Sequence, residues 1–144
     1  MRRIEEYRLM VTRSKWFLEL AREAHQKQRY DIAVFLAEQA VQLRIKAALL
    51  HLAGYHPRIH GIRLLLGELR RISGKETGDR IEEFIREHRS LLSELEDAYL
   101  IARYAPKQYD REDSEALITI AEKTLSLIER VEGGESREPA SGKG

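Results

Sequence analysis

The apolar residues of this chain recur every three or four positions through most of its length, and this spacing constrains the fold more than any other feature. It places them along one face of an α-helix, whereas a half-buried strand would need alternation with a period of two. No segment alternates for long enough to form a strand. Glycine and proline, which interrupt helices, fall mostly between the periodic segments. The sequence therefore predicts an all-α protein.

The periodic segments predict four long helices and one short helix, joined as an up-and-down bundle. Connections of a few residues make neighbouring helices antiparallel, so that their apolar faces meet in one core. Asp31 is expected to cap the second helix, Gly54 to end it, and Pro106 to end the fourth. The expected spans are about residues 3–26, 32–53, 62–72, 79–105 and, after an acidic start at 110–113, onward to 131.

The length of 144 residues suits one domain with a substantial core. That domain is expected to cover residues 1–131. Residues 132–144 contain four glycines and no apolar residue larger than alanine, so they cannot bury enough surface to offset the entropy of ordering. The sequence predicts a disordered tail there.

Composition excludes several classes of protein. The chain has no cysteine, so it has neither a disulfide framework nor a thiolate zinc site. No apolar run approaches the roughly 20 residues that span a bilayer, and we expect no membrane association and a cytoplasmic location. Charged residues make up 34% of the chain and asparagine is absent, which favours a thermophilic source.

The net charge of +1 conceals an asymmetry between the two parts of the chain. Residues 1–78 carry 15 basic and 8 acidic side chains, whereas residues 79–144 carry 10 basic and 16 acidic ones. This distribution could steer a polyanion to one side or pair two copies of the chain. Ordinary solvated helix faces would give the same counts.

Motifs for nucleotide hydrolysis and for zinc are absent. The sequence contains neither GxGxxG nor GxxxxGK[ST], which excludes a P-loop, and it contains no HExxH. We therefore expect no resident metal and no cofactor.

The segment between the second and third helices, HLAGYHPRIHGIR, is unusually rich in histidine and arginine. Its histidines are at positions 51, 56 and 60, and Arg58 and Arg63 lie among them. Imidazole and guanidinium groups together suit anion binding or acid–base cleavage of a phosphodiester. In the structural alternative, His60 packs at the start of the third helix and the arginines stay solvated.

A second candidate site lies at the end of the fourth helix, in DAYLIARYAPKQYD. Arg103 and Tyr104 stand on the last turn, with Tyr99 one turn earlier and Tyr109 beyond the proline loop. An arginine with two or three tyrosines can hold a phosphate and stack a base. The structural alternative is that Arg103 binds the last carbonyls of the helix and the tyrosines belong to the core.

These two stretches carry a resemblance to the HEPN domain family, the higher eukaryotes and prokaryotes nucleotide-binding domains. The order and spacing of the motifs match over about residues 5–131, although Ala105 intervenes before Pro106. The residues that match are Ala33, Gln39, Ala40, Lys46, Ala47, Leu50, Gly54, His60, Ala98, Tyr99, Arg103 and Tyr104.

The resemblance implies a helical bundle that dimerises, that is often encoded beside a small nucleotidyltransferase, and that acts either as an RNase toxin or as a nucleotide- or RNA-binding partner. RNase members carry Arg-x(4–6)-His at the fourth helix. In this chain Gln108, Tyr109 and Asp110 stand where that histidine would be. Arg44 and His51 satisfy the spacing inside the second helix, which we interpret as a coincidence.

The favoured interpretation is a non-catalytic homodimer that binds nucleotide or RNA and partners a nucleotidyltransferase in a toxin–antitoxin-like module. Arg103 would contact phosphate, Tyr104 and Tyr109 would stack or accept a modification, and His60 with Arg58 would line the same groove. One alternative is a metal-independent endoribonuclease that uses Arg103 with His60 or Tyr109. The other is a helical bundle that serves only protein interactions.

Overall fold

The computed structural model describes residues 2–55, 57–105 and 108–141, and every element within these ranges is a helix. The helices are α1 (Arg2–Gln26), α2 (Tyr30–Ala53), α3 (Ile62–Ile72), α4 (Lys75–Glu87), α5 (Arg89–Tyr104) and α6 (Arg111–Ser141). The predicted all-α bundle is confirmed. No helix in the described ranges is long and apolar enough to cross a membrane.

Helix α2 lies at the centre of the bundle. It contacts α1, α3, α5 and α6, and 13 of its 24 residues are buried. Five alanines on α2 are fully buried, and their small side chains allow close approach by the surrounding helices; they are Ala33, Ala37, Ala40, Ala47 and Ala48. Because α2 lies at this central position, its buried polar side chains can contact several neighbouring helices.

The predicted count of four long helices and one short helix is wrong by one, because the expected fourth helix is two. Helices α4 and α5 meet at His88, whose backbone leaves the helical region with φ −117° and ψ 25°. The His88 ring packs on Phe84 with their centroids 4.6 Å apart. Helix α4 also begins at Lys75 rather than Asp79, so that Gly78 lies inside the helix. A glycine at this position lets α4 pass close to α3, because a Cβ on residue 78 would stand 3.4 Å from the Arg70 carbonyl oxygen.

The predicted helix ends are partly right. Gly54 ends α2 with φ +83°, and its N–H donates to the Leu50 carbonyl at 2.9 Å, as expected for a left-handed glycine cap. The predicted N-cap at Asp31 is wrong, because the cap position is Arg29. The Asp31 carboxylate instead accepts a hydrogen bond from the backbone N–H of Tyr109 at 2.8 Å. Pro106 lies outside the described residues.

Helix α6 begins as the acidic segment predicted. The Asp110 carboxylate accepts from the Asp113 N–H at 2.7 Å and the Asp113 carboxylate accepts from the Asp110 N–H at 3.1 Å, a reciprocal arrangement that satisfies two backbone donors. Glu132, one residue beyond the predicted end of the domain, is buried and pairs with Arg44 of α2, so the packing of α6 on α2 reaches this residue. The backbone helix extends to Ser141, and residues 142–144 lie outside the described part of the chain.

Candidate functional site

Tyr99 on α5 is the centre of a group of side chains drawn from three parts of the chain. The His60 ring, from the segment that leads into α3, stacks on the Tyr99 ring with a centroid separation of 4.5 Å and an interplanar angle of 15°. The His60 Nε2 atom lies 3.5 Å from the Tyr99 hydroxyl. The two candidate stretches of the sequence therefore meet at one surface, through two residues that are 39 positions apart.

Arg103 lies one turn after Tyr99, and its guanidinium is held by aromatic rings. The guanidinium carbon is 4.6 Å from the centroid of the Tyr99 ring, 5.0 Å from that of Tyr104 and 5.4 Å from that of Phe35 on α2. Its Nε donates to the Tyr99 carbonyl at 3.0 Å. The structural alternative, in which Arg103 binds the last carbonyls of its helix, is therefore correct for this one donor. Among the described residues no carboxylate pairs with it, and its terminal amino groups remain exposed donors suited to an anion.

Two polar residues of α2 lie beneath this surface. Glu38 is fully buried, and its carboxylate accepts from the Gln39 amide at 2.8 Å and from the Gln42 amide. Burial raises the pKa of the Glu38 carboxyl from 4.5 to about 7, against the opposing effects of these amides and of Arg103 and Lys46. The Gln42 carbonyl oxygen then faces His60 Nδ1 at 3.3 Å.

A groove of about 270 Å³ opens beside the stacked His60 and Tyr99 rings, lined also by Gly61, Glu96, Asp97, Leu100 and Ile101. Its acidic side chains do not act alike. Glu96 is neutralised by Arg63, which donates to it from the backbone N–H at 3.0 Å and from the guanidinium at 3.0 and 3.3 Å. Asp97 is exposed at the rim.

Only one of the remaining predicted site residues, Tyr104, belongs to this surface. Tyr104 is 74% exposed, so its ring is open to a stacking partner. Tyr109 is only 6% exposed and packs at the start of α2, and burial raises the pKa of its phenol to about 12. The structure therefore does not bring Tyr109 to this surface. Arg58 is exposed, and within the described residues it makes no hydrogen bond or ion pair with the group.

The sequence reasoning missed Glu38, Gln42 and Phe35. A glutamate and a glutamine four residues apart on an alanine-rich helix, on a face with core residues, were the available signal, because a polar pair among core residues needs partners. Phe35 is an apolar residue of α2, and its sequence position alone does not show that its ring lies against Arg103.

The second arginine–histidine pair, Arg44 and His51, forms a separate group inside the bundle. Arg44 is 3% exposed and pairs with Glu132, which also accepts from the Tyr7 hydroxyl at 2.7 Å. The His51 ring stacks on Tyr7 with centroids 4.4 Å apart. This group ties α1, α2 and α6 together and leaves no exposed guanidinium.

The model of the HEPN domain family matches residues 7–131, which include α2 to α5, most of α1 and the packed part of α6. No curated protein and no solved structure matches the chain.

Proposed function

This chain belongs to the HEPN domain family, a family of nucleotide- and RNA-related helical domains, and from that premise we propose that it is a non-catalytic homodimer that binds nucleotide or RNA. In this proposal it partners a nucleotidyltransferase-fold protein in a toxin–antitoxin-like module. Arg103 contacts a phosphate and Tyr104 stacks a base. His60 and Tyr99 form the adjacent wall.

The observation that carries the proposal is the state of Arg103. Its guanidinium lies against three aromatic rings, is exposed, and is paired with no carboxylate in the described part of the chain. An arginine placed only for stability would gain more from an acidic partner, and this chain supplies such partners to Arg22, Arg63 and Arg71. A rigid guanidinium fork beside an open tyrosine ring matches a phosphate beside a base.

Binding of a fluorescently labelled, short single-stranded RNA, followed by anisotropy, tests this role. Loss of a charge-assisted hydrogen bond costs about 1.5–3 kcal/mol, so Arg103→Ala should weaken binding about 10- to 150-fold. The matched control is Arg86→Ala, because Arg86 is also exposed in the last turn of its helix but lies on α4. It should bind as the wild type does.

Two results would remove the proposal in favour of a bundle that serves only protein interactions. One is the absence of any retention of RNA or labelled nucleotides by the wild type. The other is equal weakening in Arg86→Ala and Arg103→Ala, which would indicate a diffuse charge effect. Binding through phosphates should also weaken steeply as salt rises.

The homodimer is tested by sedimentation of the full chain at micromolar concentration, where a 16.8 kDa species alone would contradict it. The start of α2 is the part of the chain that we propose for the contact between the two copies. Val34 is used entirely in the core, Tyr30 and Leu36 pack partly against it, and Ile32 remains 52% exposed for a second copy. The nucleotidyltransferase partner is tested by co-purification with such a protein encoded alongside.

A metal-independent endoribonuclease is the second candidate, and one observation favours it. His60 and Arg103 contact the same Tyr99 ring, which supplies an imidazole near the arginine although the sequence lacks the family's histidine after Arg103. This activity predicts growth arrest on expression and RNA cleavage that persists in EDTA. Both effects must disappear in Arg103→Ala, and unchanged cleavage in that variant would exclude the assignment.

A further inference from the structure

Glu38, Gln42 and His60 form a hydrogen-bonded line from the interior of the bundle to its surface. Glu38 is fully buried, Gln42 is 6% exposed, and His60 is exposed. The two α2 residues are four apart and therefore share one face of the helix. The line ends at the candidate site, where the His60 ring stacks on Tyr99.

The carboxylate at the buried end fixes the orientation of the Gln42 amide. Both carboxylate oxygens of Glu38 only accept hydrogen bonds when ionised, one from Gln39 and the other from Gln42. The Gln42 side chain must therefore turn its NH₂ group toward Glu38. Its carbonyl oxygen is left facing the His60 Nδ1 atom at 3.3 Å.

An amide oxygen accepts and cannot donate, so the nitrogen that faces it has to carry the proton. From this geometry we infer that Glu38 and Gln42 are positioning residues that hold neutral His60 in the tautomer with hydrogen on Nδ1. The lone pair is then on Nε2, on the side of the Tyr99 hydroxyl 3.5 Å away. The tautomer of a histidine is commonly set in this way by the hydrogen bond at its other nitrogen.

This tautomer determines what His60 can recognise, a consequence that rests on the proposed function. An unprotonated Nε2 accepts a hydrogen bond and offers nothing to a phosphate oxygen. It suits a hydroxyl donor such as the 2′-hydroxyl of a ribose, the group that distinguishes RNA from DNA. Arg103 would hold the phosphate and His60 the sugar of the same nucleotide.

The tautomer is a property of the free chain and can be measured without any ligand. The experiment is a long-range ¹H–¹⁵N correlation spectrum of the full-length ¹⁵N-labelled chain at pH 8, above the pKa of about 7 of the Glu38 carboxyl, so that this carboxylate is ionised. His60 is assigned by the loss of its signals in His60→Gln. We expect the proton on Nδ1 in the wild type, and a proton on Nε2 would overturn the inference.

Variants separate the tautomer from mere packing. Gln42→Leu removes the acceptor at nearly constant volume and should shift His60 toward the Nε2–H form. Glu38→Gln replaces the carboxylate with an amide that no longer dictates the orientation of Gln42, and it should do the same to a smaller extent. Gln39→Ala is the control, because among the described residues the Gln39 side chain bonds Glu38 and not Gln42 or His60, so this variant should leave His60 as in the wild type.

The proposed contact between His60 and the ribose hydroxyl is tested separately, by the ratio of the affinities for RNA and DNA oligonucleotides of the same sequence. Gln42→Leu should lower this ratio about fivefold while Arg103→Ala weakens both ligands alike. An unchanged ratio would refute the role in recognition. If the wild type binds neither ligand, the proposed function fails, yet the spectrum still decides the tautomer.

Discussion

Two clusters of arginine, histidine and tyrosine in this protein have nearly the same internal geometry and opposite surroundings. In one, His51 stacks on Tyr7 with centroids 4.4 Å apart, beside Arg44. In the other, His60 stacks on Tyr99 at 4.5 Å, beside Arg103. Arg44 is 3% exposed and paired with Glu132, whereas Arg103 is exposed and pairs with no carboxylate of the described chain.

Partner and burial, rather than residue type or spacing, distinguish a structural cluster from a candidate binding site in this chain. Arg44 and Glu132 neutralise each other inside the bundle and join α2 to α6. Each of them keeps one buried atom, Nη1 of Arg44 and Oε2 of Glu132, that has no hydrogen-bond partner in the described residues. At the other cluster the buried glutamate, Glu38, is bonded by amides, so the charge of Arg103 is left for a ligand.

The largest expected effect is on stability at the buried cluster. Arg44→Ala leaves the Glu132 charge buried without its partner, which costs about 3–5 kcal/mol of unfolding free energy. Arg103→Ala removes an exposed side chain and should change that free energy by less than about 0.5 kcal/mol. Urea denaturation followed by circular dichroism measures both.

The paired variant Arg44→Met with Glu132→Leu tests the reason for that loss. Replacing both charges with apolar side chains of similar size removes the uncompensated charge, so most of the stability should return. A double variant as unstable as Arg44→Ala would show that the helices are held by the shape of these side chains and not by their charge balance.

The next effect is a dependence of the unfolding free energy on pH. It comes from the carboxyl of Glu38, which is buried beneath the exposed cluster. The pKa of Glu38 is raised to about 7 in the folded chain from 4.5, so folding favours the protonated form. Its contribution to stability is complete below about pH 4.5 and is lost as pH rises to about 7, a change of roughly 3 kcal/mol. Glu38→Gln cannot titrate and should lack this decline.

Unfolding free energies of Glu38→Gln and the wild type at pH 5 and pH 8 measure the difference. The variant should lose about 2–3 kcal/mol less than the wild type between these values. Glu83→Gln, which changes an exposed glutamate of α4, should retain the wild-type slope. Parallel slopes for all three chains would mean that Glu38 is ionised throughout and is stabilised by Arg103 and Lys46.

A smaller effect is expected in binding at the exposed cluster. Tyr104 is 74% exposed and its ring faces the Arg103 guanidinium. Removing a stacking platform costs about 1–3 kcal/mol for each base, so Tyr104→Ala should weaken RNA binding about 5- to 150-fold with little change in stability. Tyr55→Ala serves as the control in the same anisotropy assay. Tyr55 is also an exposed tyrosine, but it lies near the start of the 54–61 segment, whereas His60 lies near its end.

Helical periodicity predicted the fold well, because most core residues are apolar and their spacing within each helix identifies them. The spans of α1, α2 and α3 agree with the structure within a residue or two. The break at His88 was not predicted, since no glycine or proline marks it and the turn depends on packing against Phe84. The burial of Glu132 was not predicted for a related reason: its partner is Arg44, 88 residues earlier.

The candidate site was predictable only where its residues lie in recognisable segments. His60, Arg103 and Tyr104 were identified and share a surface. Tyr109 was grouped with them because it is close in sequence, but it is buried, and its backbone N–H donates to Asp31 at the start of α2. Which arginine–histidine pair is exposed could not be read from spacing, because Arg44 and His51 also fit a motif spacing while their burial is decided by α1 and α6.

The smallest expected effect compares the two stacked tyrosines through their hydroxyl groups. The Tyr7 hydroxyl donates to the Glu132 carboxylate at 2.7 Å, and the pKa of this phenol is raised to about 12 by burial and by Glu132, so it remains a donor at neutral pH. Tyr7→Phe should therefore cost about 1.5 kcal/mol. The Tyr99 hydroxyl lies 3.5 Å from His60 Nε2, at the limit of a hydrogen bond, and Tyr99→Phe should cost only a few tenths of that. Equal losses in urea denaturation would mean that the exposed cluster is as much a part of the fold as the buried one, and would weaken the argument that its polar groups are held open for a ligand.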